Sequence, residues 1–160
     1  MKEFVELDSI DKKILGILQR DCTRPIKEIA EAVGLSNNPC WRRIRRLEDT
    51  GVVSHRAALI DPAKIGLGVT AFVTIRTDSH STEWLNAFRK AVNNIPEIIA
   101  CHRMTGDVDY LLRILVHDIE HYDRVYQRLI KSVPGLSDVS STFSMEKLKQ
   151  GPTIDIGRIL

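Results

Sequence analysis

Two amphipathic helical patterns separated only by Leu35 and Ser36 constrain this chain more than any other feature. In the upstream pattern Ile26, Ile29, Ala30 and Val33 fall on one side, Pro25 suits the first turn, and Gly34 supplies a left-handed stop. Downstream, SNNPCWRRIRRLEDTG (36–51) places Cys40, Ile44 and Leu47 at i, i+4 and i+7 as an inward stripe. Asn38, Arg42, Arg45, Arg46 and Asp49 lie roughly opposite, with Trp41 and Arg43 on the shoulders. Ser36 or Asn38 can cap the first turn, Pro39 fits there because no donor is lost, and Gly51 ends the helix. So short a link forces the two helices to cross sharply, which is the arrangement of a helix-turn-helix. An unrelated three-helix packing is the alternative. A first helix over Asp8 to Arg20, capped by Asp8 and with Ile10, Ile14, Ile17 and Leu18 on one side, completes the set.

The formal net charge of +2 points to no partner, but the excess lies within residues 1–60, and four arginines concentrate it between positions 42 and 46. A charge run is usually a solvated helix face. Set after a two-residue turn, this one is the expected DNA-reading helix, because arginine suits guanine edges and phosphate, and asparagine suits adenine or phosphate. The expected contacts to double-stranded DNA are Ser36, Asn37, Asn38, Arg42, Arg43, Arg45 and Arg46, while Trp41 is assigned to packing. Val52 to Ile60 reads as one or two strands, where a winged form has its hairpin, with His55 and Arg56 near the DNA backbone.

Residues 1–60 are thus expected to form a winged helix-turn-helix domain and residues 61–68 (DPAKIGLG) a packed hinge. Residues 69–150 follow with a clear rhythm. Strands are expected over Val69–Arg76, Ile98–Thr105, Asp109–Val116 and Val139–Met145, and helices over Ser81–Asn94 and Ile119–Ser132. The order βαββαβ predicts a ferredoxin-like split-βαβ sandwich, so the fold class is α+β. The tail, residues 151–160, shows no helical pattern and reads as a disordered end or an arm to a neighbouring subunit. Three cysteines without CxxC spacing argue against a disulfide framework and for a reducing cytoplasm. The acidic N-terminus is unlike a signal peptide, and no apolar run approaches a membrane span of ~20 residues.

Four segments, LDSIDKKILGILQRD, EIAEAVGLSNNPCWRRIRRLEDTGVV, MTGDVDYLLRILVHD and VPGLSDVSSTFSMEKLK, resemble the Lrp/AsnC family of bacterial and archaeal transcription regulators, from about Leu7 to Lys149. The resemblance implies dimers formed through the sheets of the second domain, often assembled into octamers. It also implies an effector, usually an amino acid, bound where dimers meet. By that resemblance the effector loop is Thr105, Gly106, Asp107, Val108, Asp109 and Tyr110, and Thr142, Phe143 and Ser144 are effector-response positions. Asn37-Asn38 departs from the more usual Pro-Thr, which bears on operator preference; Cys22 and Pro25 also depart. Ser81–Trp84 and Val133–Val139 look most like a subgroup linked to cysteine detoxification, which suggests cysteine as effector. The residues alone allow a simpler reading of Gly106-Asp107-Val108-Asp109 as an ordinary hairpin turn. In the effector reading, the loop amides take an α-carboxylate, and Asp107 or Asp109 takes an α-ammonium.

Two rival functions are less consistent with the sequence. His117 and His121 at i, i+4 make metal binding conceivable, but no HExxH, phosphate loop or nucleophile elbow accompanies them, so no enzyme, metal or cofactor is expected. An effector-sensing module without DNA binding is opposed by the arginine face.

Overall fold

A computed structural model describes residues 4–149 and 154–159 and divides the chain into two units. One holds the described residues up to Leu59 together with those from Lys149 onward; the other is Ile60–Leu148.

The first unit is built on helices α1 (Ser9–Arg20), α2 (Ile26–Val33) and α3 (Asn37–Asp49). Asp8 caps α1 through a capping box. Its carboxylate accepts from the amides of Ile10 (2.9 Å) and Asp11 (2.8 Å), and the Asp11 carboxylate accepts from the Asp8 amide at 3.2 Å. Gly34, at φ +74°, ends α2 in the left-handed conformation and lets the chain turn at once into α3. Ile14, Leu15, Leu18, Ile29, Ala30, Val33, Cys40, Ile44 and Leu47 form the core. Ile26, expected inside, is 37% exposed. It is the first residue of α2, where the helix begins at the edge of this small core.

No strand forms over Val52–Ile60, which corrects the expected wing. Val52 and Val53 pack against the helical core instead, and the Val53 amide donates to the Leu47 carbonyl at 2.9 Å. Arg56 donates to Glu48 at 2.7 Å and to the Cys22 carbonyl at 3.3 Å, so this run folds back along the helices as irregular chain. A strand of so few residues needs a neighbour to pair with, and Asp61-Pro62 ends the run before a second one can form.

Far along the chain, the segment 154–159 returns to the same unit. Gln19 and Ile154 exchange two hydrogen bonds, at 3.2 and 2.7 Å, and a single helical turn, α6 (Ile156–Ile159), follows with Ile156 against the core. Instead of reaching away, this part of the tail lies on its own α1, where Gln19 supplies the anchor that a Gly- and Pro-containing tail cannot make alone.

The second unit begins with a short 3₁₀ turn at Pro62–Ile65, capped by Asp61. Then come β1 (Val69–Thr77), α4 (Thr82–Asn93), β2 (Ile98–Arg103), β3 (Tyr110–Val116), α5 (Ile119–Ser132) and β4 (Leu136–Phe143). The sheet order is β2-β3-β1-β4, all antiparallel, with the two helices on one face. This is the split-βαβ arrangement expected from the element order. Alternation along β1 sends Ala71, Val73, Ile75 and Thr77 under the helices and leaves Phe72 and Arg76 on the open face. Trp84 stacks on Phe88 in the core, and Tyr110 packs tilted against both, with the Phe88 and Tyr110 centroids 4.4 Å apart. The Trp84 indole is satisfied by the Pro134 carbonyl at 2.7 Å. Among the described residues no helix is long and apolar enough to cross a membrane.

Candidate DNA-binding surface and effector loop

The four arginines of α3 separate into two pairs. Arg43 and Arg46 turn toward α1, where Asp11 is only 1% exposed. Arg43 donates to Asp8 at 2.6 Å and to Asp11 at 2.9 Å, and Arg46 donates to the other oxygen of Asp11. The Asp8 carboxyl is held below the usual carboxylate range, first by the amide of Asp11 and then by Arg43. These contacts hold α3 against α1. Arg42 and Arg45 remain exposed. Arg45 reaches Glu48 at 3.6 Å and lies 5.9 Å from the Trp41 ring, and Trp41 is 48% exposed rather than packed inside. Arg42 has no ion pair or hydrogen bond among the described residues.

Ser36, Asn37 and Asn38 are exposed at the start of α3. Ser36 occupies the cap position, yet its side chain makes no capping bond, so the first amides of α3 have no side-chain partner there. A polar helix start, two outward arginines and a two-residue turn define a surface that can take phosphate at its end and base edges along its side.

In the second unit the chain between β2 and β3 is a tight loop. Gly106 has φ +102°, a conformation that side-chain-bearing residues rarely adopt. Asp109 is its anchor. Its amide donates to the Ile75 carbonyl (2.9 Å), its carbonyl accepts from Met104 (2.8 Å), and its carboxylate accepts from the Thr77 amide (2.9 Å). Tyr110 is 6% exposed in the aromatic core. Thr105 and Asp107 are exposed, and Asp107 has no partner among the described residues.

Thr142, Phe143 and Ser144 are elsewhere. Thr142 sits opposite Phe72, the Ser144 amide donates to the Thr70 carbonyl, and Phe143 packs edge-on to Tyr122. Tyr110, by contrast, sits opposite Ile75. Because β4 runs antiparallel to β1, its end lies on the order of 10–16 Å along β1 from the loop, at ~3.3 Å per residue. Within one chain these residues and the loop do not form one site.

Sequence reasoning missed the Asp8–Asp11–Arg43–Arg46 cluster. Asp11 is a charged residue in an amphipathic helix, and its burial depends on a helix some thirty residues away. The capping box spanning Asp8 and Asp11 was a usable signal that Asp11 had an inward role. The two candidate metal ligands are otherwise engaged. His117 Nδ1 hydrogen-bonds the Gly66 carbonyl at 2.8 Å, and His121 Nε2 meets Glu97 at 3.0 Å, with Arg128 on the same carboxylate oxygen at 2.5 Å.

The fold and these surfaces define a two-part DNA-binding regulator, a helix-turn-helix unit joined to an α+β sensor unit. The family model for the AsnC-type helix-turn-helix domain matches residues 7–48, and that for the Lrp/AsnC ligand binding domain matches residues 70–154. The DNA-binding transcriptional activator DecR of Escherichia coli K12 is 51% identical over 150 residues, covering 94% of this chain and 99% of that protein. An AsnC family transcriptional regulator from Agrobacterium tumefaciens superposes with a TM-score of 0.91 at 48% identity, covering 96% and 100% of the two chains. The regulator NMB0573 from Neisseria meningitidis, solved as a complex with L-Met, gives 0.90 at 32% identity, covering 97% and 100%. The chain belongs to the Lrp/AsnC family of transcriptional regulators. It is a DNA-binding regulator, and its domains and relatives are not those of enzymes.

Proposed function

We propose that α3 reads an operator through Arg42, Arg45 and the polar turn Ser36–Asn38, while Arg43 and Arg46 keep the helix in place. The observation that carries this is the division of the arginines: two are committed to Asp8 and Asp11, and Arg42 stands exposed and unpaired among the described residues. The second part of the proposal is that an amino acid docks at residues 105–109. The loop amides take its α-carboxylate and Asp107 its α-ammonium, while Asp109 positions the loop. The L-Met complex of the Neisseria relative supports this ligand class. Cysteine is the first amino acid to test, on the resemblance of residues 81–84 and 133–139.

The third part is assembly. The helices cover one face of the sheet only; the other presents Phe72, 39% exposed, beside Arg113, whose Nε is buried without a partner. A second copy pairing across this face makes a dimer with two recognition helices for half-sites about 34 Å apart or a multiple of it. Effector binding between dimers then shifts the equilibrium toward a higher assembly, an octamer. Thr142 and Ser144 lie on or beside this face and act through the interface rather than by touching the ligand of their own loop.

Size-exclusion chromatography with light scattering, run with each of the twenty amino acids, tests the effector and assembly parts together. One or a few amino acids should change the assembly of the wild type and leave Asp107→Ala unchanged. An identical assembly under all twenty conditions would refute the coupling.

A further inference from the structure

The α4 side of the outer strand β2 carries a cavity of about 310 Å³. Cys101 and Arg103 sit opposite Leu112 and Tyr110, both core residues, so alternation aims their side chains toward the helices. Phe88, Val92 and Tyr110 supply an apolar and aromatic lining, and Arg89 of α4 and Arg103 of β2 line the same cavity. Neither arginine has an ion pair or hydrogen bond among the described residues, and no carboxylate lines the cavity. Two guanidinium groups beside a buried aromatic lining are matched by a ligand with one anionic end and an apolar body. An α-ammonium on that ligand meets like charge and no carboxylate, which disfavours it.

We infer that this cavity is a second ligand site, distinct from the amino-acid loop, and that it takes a small apolar carboxylic acid without an α-ammonium, of the 2-oxo acid class. Arg103 and Arg89 bind the carboxylate, and Phe88, Val92 and Tyr110 receive the side chain. The inference stands without the loop proposal, because none of these side chains contributes to the Asp107 contact. Such a site reports the deaminated counterpart of an amino acid alongside the amino acid itself.

Cys101 makes the test site-specific, since its thiol lines the same cavity, while Cys40 is buried in the other unit and the part-exposed Cys22 of that unit is told apart by its peptide. The rate of maleimide labelling at Cys101 is followed by peptide mass mapping on the full chain, with 4-methyl-2-oxopentanoate or leucine as probe. The oxo acid at ten times its dissociation constant should slow Cys101 labelling about tenfold, following 1 + [L]/Kd. Leucine at the same concentration should not. The double variant Arg89→Gln, Arg103→Gln should lose the protection while keeping the wild-type melting temperature, and Asp107→Ala should keep the protection. The inference is overturned if the oxo acid gives no protection, if leucine protects equally, or if the folded double arginine variant stays protected. Loss of protection in Asp107→Ala would also overturn it, by assigning the ligand to the loop.

Discussion

Asp11→Ala removes the carboxylate on which the α1–α3 contact converges. Asp11 is 1% exposed, and its oxygens serve the Asp8 amide, Arg43 and Arg46. Removing one member of a fully buried ion pair costs about 3–5 kcal/mol because the other charge is stranded. Here the partners are 29% and 44% exposed, so both guanidinium groups regain water and the cost falls. What remains is the loss of charge-assisted hydrogen bonds at a desolvated position, so about 2–3 kcal/mol is expected. For a unit of some seventy residues that corresponds to a fall of about 10–20 °C in Tm. Far-ultraviolet circular dichroism of the full chain should show the helical unit melting earlier, with Asp11→Asn falling less because it keeps an acceptor oxygen. A Tm within about 2 °C of wild type would refute the claim that this carboxylate holds the recognition helix.

Other consequences follow the same division of labour. Arg42→Ala should leave the melting temperature unchanged and reduce the slope of log affinity against log salt by about 1, as loss of one phosphate contact requires. Arg46→Ala should lower the melting temperature as well as affinity, and equal Tm values for the two variants would contradict the assigned roles. Asp109→Ala, which frees the Thr77 amide, should destabilise the second unit by about 1–2 kcal/mol, read by chemical denaturation. The exposed Asp107→Ala should stay within about 0.5 kcal/mol of wild type, so a large loss there would argue against a ligand role. The Asp8 carboxyl titrates lower in the folded chain than in the unfolded one. Its contribution is therefore present above the unfolded value near ~4 and is lost as pH falls through the folded value. Melting temperature measured from pH 6 downward should fall more steeply for wild type than for Asp8→Ala; parallel curves would remove Asp8 from the account.

The layout of the fold was legible where local chemistry and burial agree. Gly34 and the stripe of Cys40, Ile44 and Leu47 placed the helix-turn-helix, and the βαββαβ rhythm placed the sandwich, with α5 matched at both ends. What was not legible depended on distant partners. The Val52–Ile60 run has strand-forming residues but no strand to pair with, and Arg56 is drawn to Glu48 instead. The short α6 exists through Gln19, about 135 residues earlier by the separation of the bonded pair. At the candidate sites, residue type alone made four arginines look equivalent. Only the packing of α1 against α3 separates those facing Asp11 from those facing outward. In the same way Asp107 and Asp109 look interchangeable in sequence, yet one is exposed and the other anchors a strand.

In the proposed function, α3 binds operator DNA under control of an amino acid sensed at the second unit. Fluorescence anisotropy of the full chain on a labelled fragment of its own upstream region, titrated across salt with and without the amino acid that shifts assembly, tests it most directly. The expected result is tight binding at low salt that weakens steeply as salt rises, with an affinity or Hill slope changed by the amino acid in wild type and unchanged in Asp107→Ala. Binding that is absent at low salt, or present but indifferent to every amino acid, would contradict the account.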